Sequence, residues 1–309
     1  WTPKSTRPIE SMTNRSKSLL SAIDVITLAY IAWILLYMTV GFNRSADAYV
    51  HIPVMLSIGI GILLLAWWHR NLDPAVQPRL ERLLSLVRGL YPVSLFGYFY
   101  TSGHAFNRII FTDWQDPFFM NIDLKLFGYL PSLMWGQWHD SLLISELFHF
   151  AYFCYYPMIV GLPLYLYFKK PEGFRELIFN LSFVFYLCYF IYSILPVIGG
   201  RFIPEAMELT RTYRGGPFTH IMVFIYRHSN HLGGAFPSSH IGVTIVLTIA
   251  ALRHARKLGY IFLPIALFLS LATVYCHYHW FIDAVFGVII GVTGYYLANS
   301  AHRKLQGVL

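Results

Sequence analysis

Leu177–Val197 reads LIFNLSFVFYLCYFIYSILPV, twenty-one residues without a charged side chain. A helix needs about 20 predominantly apolar residues to cross a hydrocarbon core, and this stretch supplies them in one run. Working outward, similar windows cover Ile26–Gly41, Ile52–Trp68, Gly89–Phe106, Leu143–Phe168, Ser239–Leu252, Leu258–Cys276 and Ala284–Ser300. Together they predict an all-α polytopic transmembrane helix bundle of about eight spans. Composition agrees: of 309 residues, 56% are hydrophobic and 18% aromatic, but only 12% are charged. A globular domain carries about a quarter charged residues, so this chain lacks the polar surface to cover itself in water. A soluble domain, a disordered tail, a collagen-like repeat and a nucleic-acid-binding arm are excluded.

Charge gives the bundle a sidedness. With the N-terminus in the cytoplasm, sixteen of the 23 Lys and Arg residues fall on cytoplasmic segments and seven on outer ones. Cytoplasmic loops carry an excess of Lys and Arg, so both termini are expected in the cytoplasm. The net charge of +8 then reflects topology, and no nucleic-acid partner is expected. The chain is expected to divide into a cytoplasmic segment (1–20), N-terminal helices (21–106), an outer aromatic segment (107–142), a transmembrane core (143–300) and a cytoplasmic tail (301–309). Cys154, Cys188 and Cys276 are odd in number and far apart, which gives neither a disulfide framework nor a zinc motif. The first residue is Trp1 rather than Met, so an upstream start is expected. Asn43-Arg44-Ser45 is a glycosylation sequon on the expected outer side.

Two outer segments are too long and too patterned to be linkers. Residues 107–142 carry Trp114, Phe118, Phe119, Phe127, Trp135 and Trp138 among Asp113, Asp116, Asp123 and Asp140, a composition suited to the headgroup layer. Residues 198–238 hold Arg201, Arg211, Arg214 and Arg227 against only Glu205 and Glu208. Positive charge on the outer side runs against the topology rule, and binding an anion is one local reason for it.

Three short motifs carry chemistry. Gly233-Gly234-Ala235-Phe236-Pro237-Ser238-Ser239-His240 runs straight into an apolar helix. Unpaired N–H groups at such a helix start form an anion site, although a capped helix with an interfacial histidine would read the same way. In His277-Tyr278-His279-Trp280-Phe281-Ile282-Asp283, His279 and Asp283 stand four apart and share a helical face. Such a carboxylate fixes the imidazole tautomer and activates the other ring nitrogen; a purely structural pair is the alternative. Gly199-Gly200-Arg201-Phe202 closes the fifth span with a guanidinium suited to phosphate, or with a snorkelling arginine at a helix end. Under the eight-span topology all three motifs meet at the outer surface.

In this order, the motifs resemble those of the type 2 phosphatidic acid phosphatase superfamily, membrane branch. Pro237-Ser238-Ser239-His240 is similar to its Pro-Ser-Gly-His signature, and His279-x3-Asp283 to the end of Ser-Arg-x5-His-x3-Asp, with Ala272 and Thr273 where Ser and Arg are expected. Its Lys-x6-Arg-Pro signature is absent. Gly199–Phe202 and Gly234–His240 look instead like the subgroup containing inositol phosphorylceramide synthases. The resemblance implies a six-helix core behind two N-terminal spans, with His279 as nucleophile, Asp283 orienting it and His240 protonating the leaving oxygen. Arg201, Ser238, Ser239 and Gly200 are implied as the phosphate site, with His277 or Arg214 compensating for the missing arginine. It implies no cofactor and no metal, a membrane lipid phosphate as substrate, an alcohol or lipid acceptor, and an extracytoplasmic active site. Hydrolysis of phosphatidic acid, phosphatidylglycerophosphate or a polyprenyl pyrophosphate stays open. So do a metal-binding transporter or oxidoreductase using His277, His279 and Asp283, and a non-catalytic scaffold.

Overall fold

The computed structural model describes residues 18–45, 47–137, 141–212, 215–227 and 231–308. Thirteen α-helices and several 3-10 turns make up the regular structure of these residues, and the extended backbone is limited to one bridge between Val197 and Gly234. The helices are α1 (Ala22–Val40), α2 (Ala48–Asn71), α3 (Pro78–Ser102), α4 (Asp116–Phe127), α5 (Pro131–Gly136), α6 (Leu142–Phe153) and α7 (Tyr155–Lys169). They continue with α8 (Pro171–Ile194), α9 (Pro204–Thr212), α10 (Pro217–Arg227), α11 (Ser239–His254), α12 (Arg256–Tyr275) and α13 (Phe281–Val308). Several open on proline, which lacks the N–H that a first helical turn leaves unpaired.

Among the described residues six helical stretches are long and apolar enough to cross a membrane: α1, α2, α6 with α7 taken as one, α8, α12 and α13. α11 is apolar but shorter. α3 reaches 25 residues, yet its start carries Arg79, Glu81, Arg82 and Arg88, so its charged first half extends well before the window expected from Gly89. The expected outer segment 198–238 folds in part, as α9 and α10.

α11 lies at the centre, bordered by α7, α8, α12 and α13. Its small residues explain that position. Gly242 faces the backbone of Gly287 and Gly291, and small residues let transmembrane backbones approach closely where no hydrophobic force joins them. α8 is the most enclosed long helix, whereas α2 turns Leu56, Ile60, Leu63, Leu64 and Trp67 outward. Apolar side chains on the outside are what a lipid environment calls for. α1 and α3 pack against α8, and α2 against α1 and α3.

Charged groups inside the bundle are paired. Asp24 is fully buried and accepts from Arg88 Nε at 3.1 Å and from Tyr91 Oη at 3.0 Å. Glu176 on α8 meets Arg253 at 2.9 Å and His254 at 3.3 Å, both at the end of α11, and Tyr295 of α13 at 3.3 Å. These contacts tie the end of the bundle opposite the three motifs.

Candidate active site

The loop after α8 and the loop before α11 run side by side. Ala235 N–H donates to the Val197 carbonyl at 2.8 Å, which brings Gly199–Phe202 next to the start of α11. Gly199 has φ +83°, and a side chain there would strike the Tyr278 carbonyl. Glycine is therefore required at this crossing for both conformation and space.

Two acids of α4 hold the crossing together. Asp116 accepts from the Ile198 and Gly199 amides at 3.0 and 2.8 Å, and from the Trp280 indole at 2.8 Å. Asp123 accepts from the Phe281 and Ile282 amides at 2.7 and 3.1 Å, so it caps α13 from a different helix. Burial raises both carboxyls above the ordinary range, while the donated hydrogen bonds oppose the shift. In the sequence these acids look like headgroup-facing members of an aromatic segment. The signal that marks them is cost: an acid among apolar residues needs donors.

Arg201, His240 and His279 line one cavity of about 30 Å³, with Tyr100, Tyr226 and Tyr278. That volume holds about two waters, or a group of phosphoryl size. His279 Nε2 lies 3.1 Å from Ser238 Oγ, and its Nδ1 lies 3.6 Å from Asp283 Oδ2. The first is a hydrogen bond; the second is an ion-pair distance too long for one. Asp283 Oδ2 itself accepts from the Trp280 amide at 2.9 Å. Burial holds the His279 imidazole below its ordinary pKa, and His240 and Arg201 act in the same direction. The Arg201 guanidinium stands over the Tyr226 ring at 4.9 Å and the Phe202 ring at 4.4 Å, contacts that hold the cation while leaving it in the cavity wall. The His240 ring packs on Tyr155 at 4.6 Å and Tyr152 at 5.2 Å.

The remaining expected residues are placed differently. Ser239 is buried, and its amide donates to Tyr192 Oη at 3.2 Å; the Ser238 amide donates to the Asp283 carbonyl at 3.1 Å. These two N–H groups of the helix start are occupied by the protein rather than presented to an anion. Gly200 opens the 3-10 turn that carries Arg201, beside the cavity lining. His277 is fully buried with φ +62°, its ring against Gly136 and outside the cavity wall. Arg214 lies outside the described residues, as do Trp138 and Asp140. Among the described residues no three His, Cys, Asp or Glu side chains converge as a metal-ligand set. Tyr100, Tyr226 and His231 line the cavity without having stood out in the sequence. His231 was legible only as one histidine of a basic outer segment.

A family model described as the PAP2 superfamily matches residues 122–297, which include Arg201, Ser238, His240, His279 and Asp283. The chain belongs to the PAP2 superfamily. Neither the curated proteins nor the solved structures give a match. Membership and the six membrane-length helices make the chain a multi-pass integral membrane protein and a phosphatase-type enzyme with a lipid phosphate as its general class of substrate. The PAP2 match leaves α1, α2, α3 and Asp116 outside it.

Proposed function

We propose that this PAP2 protein transfers a phosphoryl or phospho-headgroup from a membrane lipid through a phosphohistidine on His279. The observation that carries the reading is the sharing of one small cavity by Arg201, His240 and His279, with Ser238 on the His279 ring. His279 carries its proton on Nδ1, facing Asp283, and keeps the Nε2 lone pair for phosphorus. Asp283 moves by a few tenths of an ångström to complete the orienting hydrogen bond, as such bonds tighten in the reacting complex. Nε2 attacks, the N–P bond forms, and the bond from phosphorus to the leaving oxygen breaks as His240 delivers a proton to that oxygen. Arg201 and the displaced Ser238 hydroxyl hold the phosphoryl oxygens. An acceptor hydroxyl then attacks phosphorus, returns its proton to His240 and frees His279. Phosphoryl transfer demands chiefly such positioning and charge stabilisation.

The likeness of Gly199–Phe202 and Gly234–His240 to the inositol phosphorylceramide synthase subgroup favours an alcohol acceptor. Hydrolysis is the second reading, since the same cavity has room for water. Eight crossings, counting α3 and α11, put both termini in the cytoplasm and the cavity at the extracytoplasmic face, in keeping with the distribution of Lys and Arg. The lipid stays in the membrane while its phosphate reaches the cavity. The test is turnover of a panel of lipid phosphates and phosphodiesters by the purified protein, with and without alcohols, with mass analysis of both products. Release of phosphate alone supports hydrolysis, a phosphorylated alcohol supports transfer, and no turnover of any member contradicts both.

A further inference from the structure

His231 has no role in the scheme above, yet it stands in the same cavity wall as Arg201, His240 and His279. It is only 7% exposed and packs on Tyr100 with ring centroids 3.9 Å apart. Neither ring nitrogen forms a hydrogen bond of normal geometry, although the Thr101 carbonyl favours the protonated ring. A buried polar group left this way is costly unless something else satisfies it. The ring is packed close to the backbone: a Cβ on Gly234 would lie 2.7 Å from His231 Nε2, so only glycine admits the imidazole at this place in the cavity wall. Arg201 influences both His231 and His279 electrostatically, so the guanidinium that faces the phosphoryl group is also close to this ring.

Resting on the phosphohistidine reading, we infer that His231 contacts the acceptor, taking a hydrogen bond from a hydroxyl hydrogen other than the one lost on attack. The attacking O–H gives its proton to His240. Water offers a second hydrogen on the same oxygen, and a polyol offers one on a neighbouring carbon. A monohydric alcohol offers neither. His231 therefore selects acceptors by chemistry: water and vicinal polyols engage it, and simple alcohols do not.

The experiment forms the phosphoenzyme from a radiolabelled lipid phosphate in detergent, then measures its breakdown in water alone, with methanol or 1-propanol, and with glycerol or myo-inositol. Wild type, His231→Leu and His231→Gln are compared. Each variant's breakdown rates are set against one another, so the amount of folded protein cancels. In His231→Leu, breakdown by water and polyol is expected to slow about tenfold relative to the monohydric alcohols, the effect of one hydrogen bond. His231→Gln, whose amide oxygen can accept, recovers part of the preference. A loss confined to glycerol and inositol identifies a polyol subsite, and a loss confined to water identifies a hydrolytic one; either supports the contact. Equal slowing with every acceptor, or no slowing, overturns it and leaves the phosphohistidine reading intact. A wild-type protein that turns over lipid phosphate without any phosphohistidine overturns both.

Discussion

Asp116 and Trp280 are joined across 164 residues by a 2.8 Å hydrogen bond from the indole Nε1 to the carboxylate. The same carboxylate accepts the amides of Ile198 and Gly199. One acid on α4 therefore fixes the approach to Arg201 on one side and the residue after His279 on the other.

Removing that carboxylate strands three donors, two of them in buried hydrogen bonds. Asp116→Ala is expected to cost about 2–4 kcal/mol of stability and to lower turnover by at least about tenfold, because Arg201 and His279 lose their common support. Asp116→Asn keeps one acceptor oxygen and falls between. Thermal unfolding in detergent and turnover of a lipid phosphate check both. An Asp116→Ala protein with wild-type unfolding temperature and turnover contradicts the bracing role.

Gly287 tests the packing of α13 against the start of α11. A Cβ there would lie 2.8 Å from the Ser238 carbonyl oxygen and 3.0 Å from Ser238 Cβ. Backbone at that distance cannot turn aside, so Gly287→Ala is expected to push Ser238 away from His279. The expected cost is about 1–3 kcal/mol, with a larger relative loss of turnover than of stability. Gly307→Ala, on the same helix, meets nothing within 4 Å and should be mild. Equal effects at both positions would count against the mechanism given for Gly287.

What the sequence made legible follows from what lipid demands. Leu177–Val197 had to be free of charge to cross, and α8 covers it as far as Ile194. Gly233–His240 and His277–Asp283 were readable as chemistry because their residue types at those spacings are costly at a membrane boundary without a purpose. α4 was not readable in that way. Its aromatic rings suit an interface, and nothing local to Asp116 or Asp123 announces that their donors lie more than eighty and more than one hundred and fifty residues away. His231 was hidden for a related reason, since its place in the cavity wall depends on Tyr100 of α3.

Acidification should loosen the site. Burial lowers the pKa of His279, and lowers that of His231 to about 3. The folded protein then binds fewer protons than the unfolded chain at any pH between the lowered values and about 6.5. Stability therefore rises with pH in that window and is lost progressively as pH falls below about 6.5. The unfolding temperature in detergent should be flat above pH 7 and fall between pH 6.5 and 4. His231→Gln has nothing to protonate and should show a shallower fall. Burial of the Asp116 and Asp123 carboxyls acts in the opposite direction, so the comparison between proteins decides: a fall as steep in His231→Gln as in the wild type would contradict a neutral buried His231.

Sidedness is checked with thiol labelling in sealed cells or oriented vesicles. The native cysteines are all buried, so introduced ones dominate the reading. His220→Cys, exposed on α10, should react with an impermeant reagent from outside, and Glu172→Cys, exposed at the start of α8, should not. The reverse pattern would put the cavity in the cytoplasm.

Phosphohistidine is base-stable and acid-labile, which gives the most direct measurement. Protein mixed with lipid phosphate radiolabelled at phosphorus is quenched in base, digested and mapped. The label is expected on the peptide containing His279, absent from His279→Ala, and persistent in His240→Ala if a donor with a good leaving group is used. Turnover that proceeds in His279→Ala, or label found on another residue, would contradict the nucleophile assigned to this cavity.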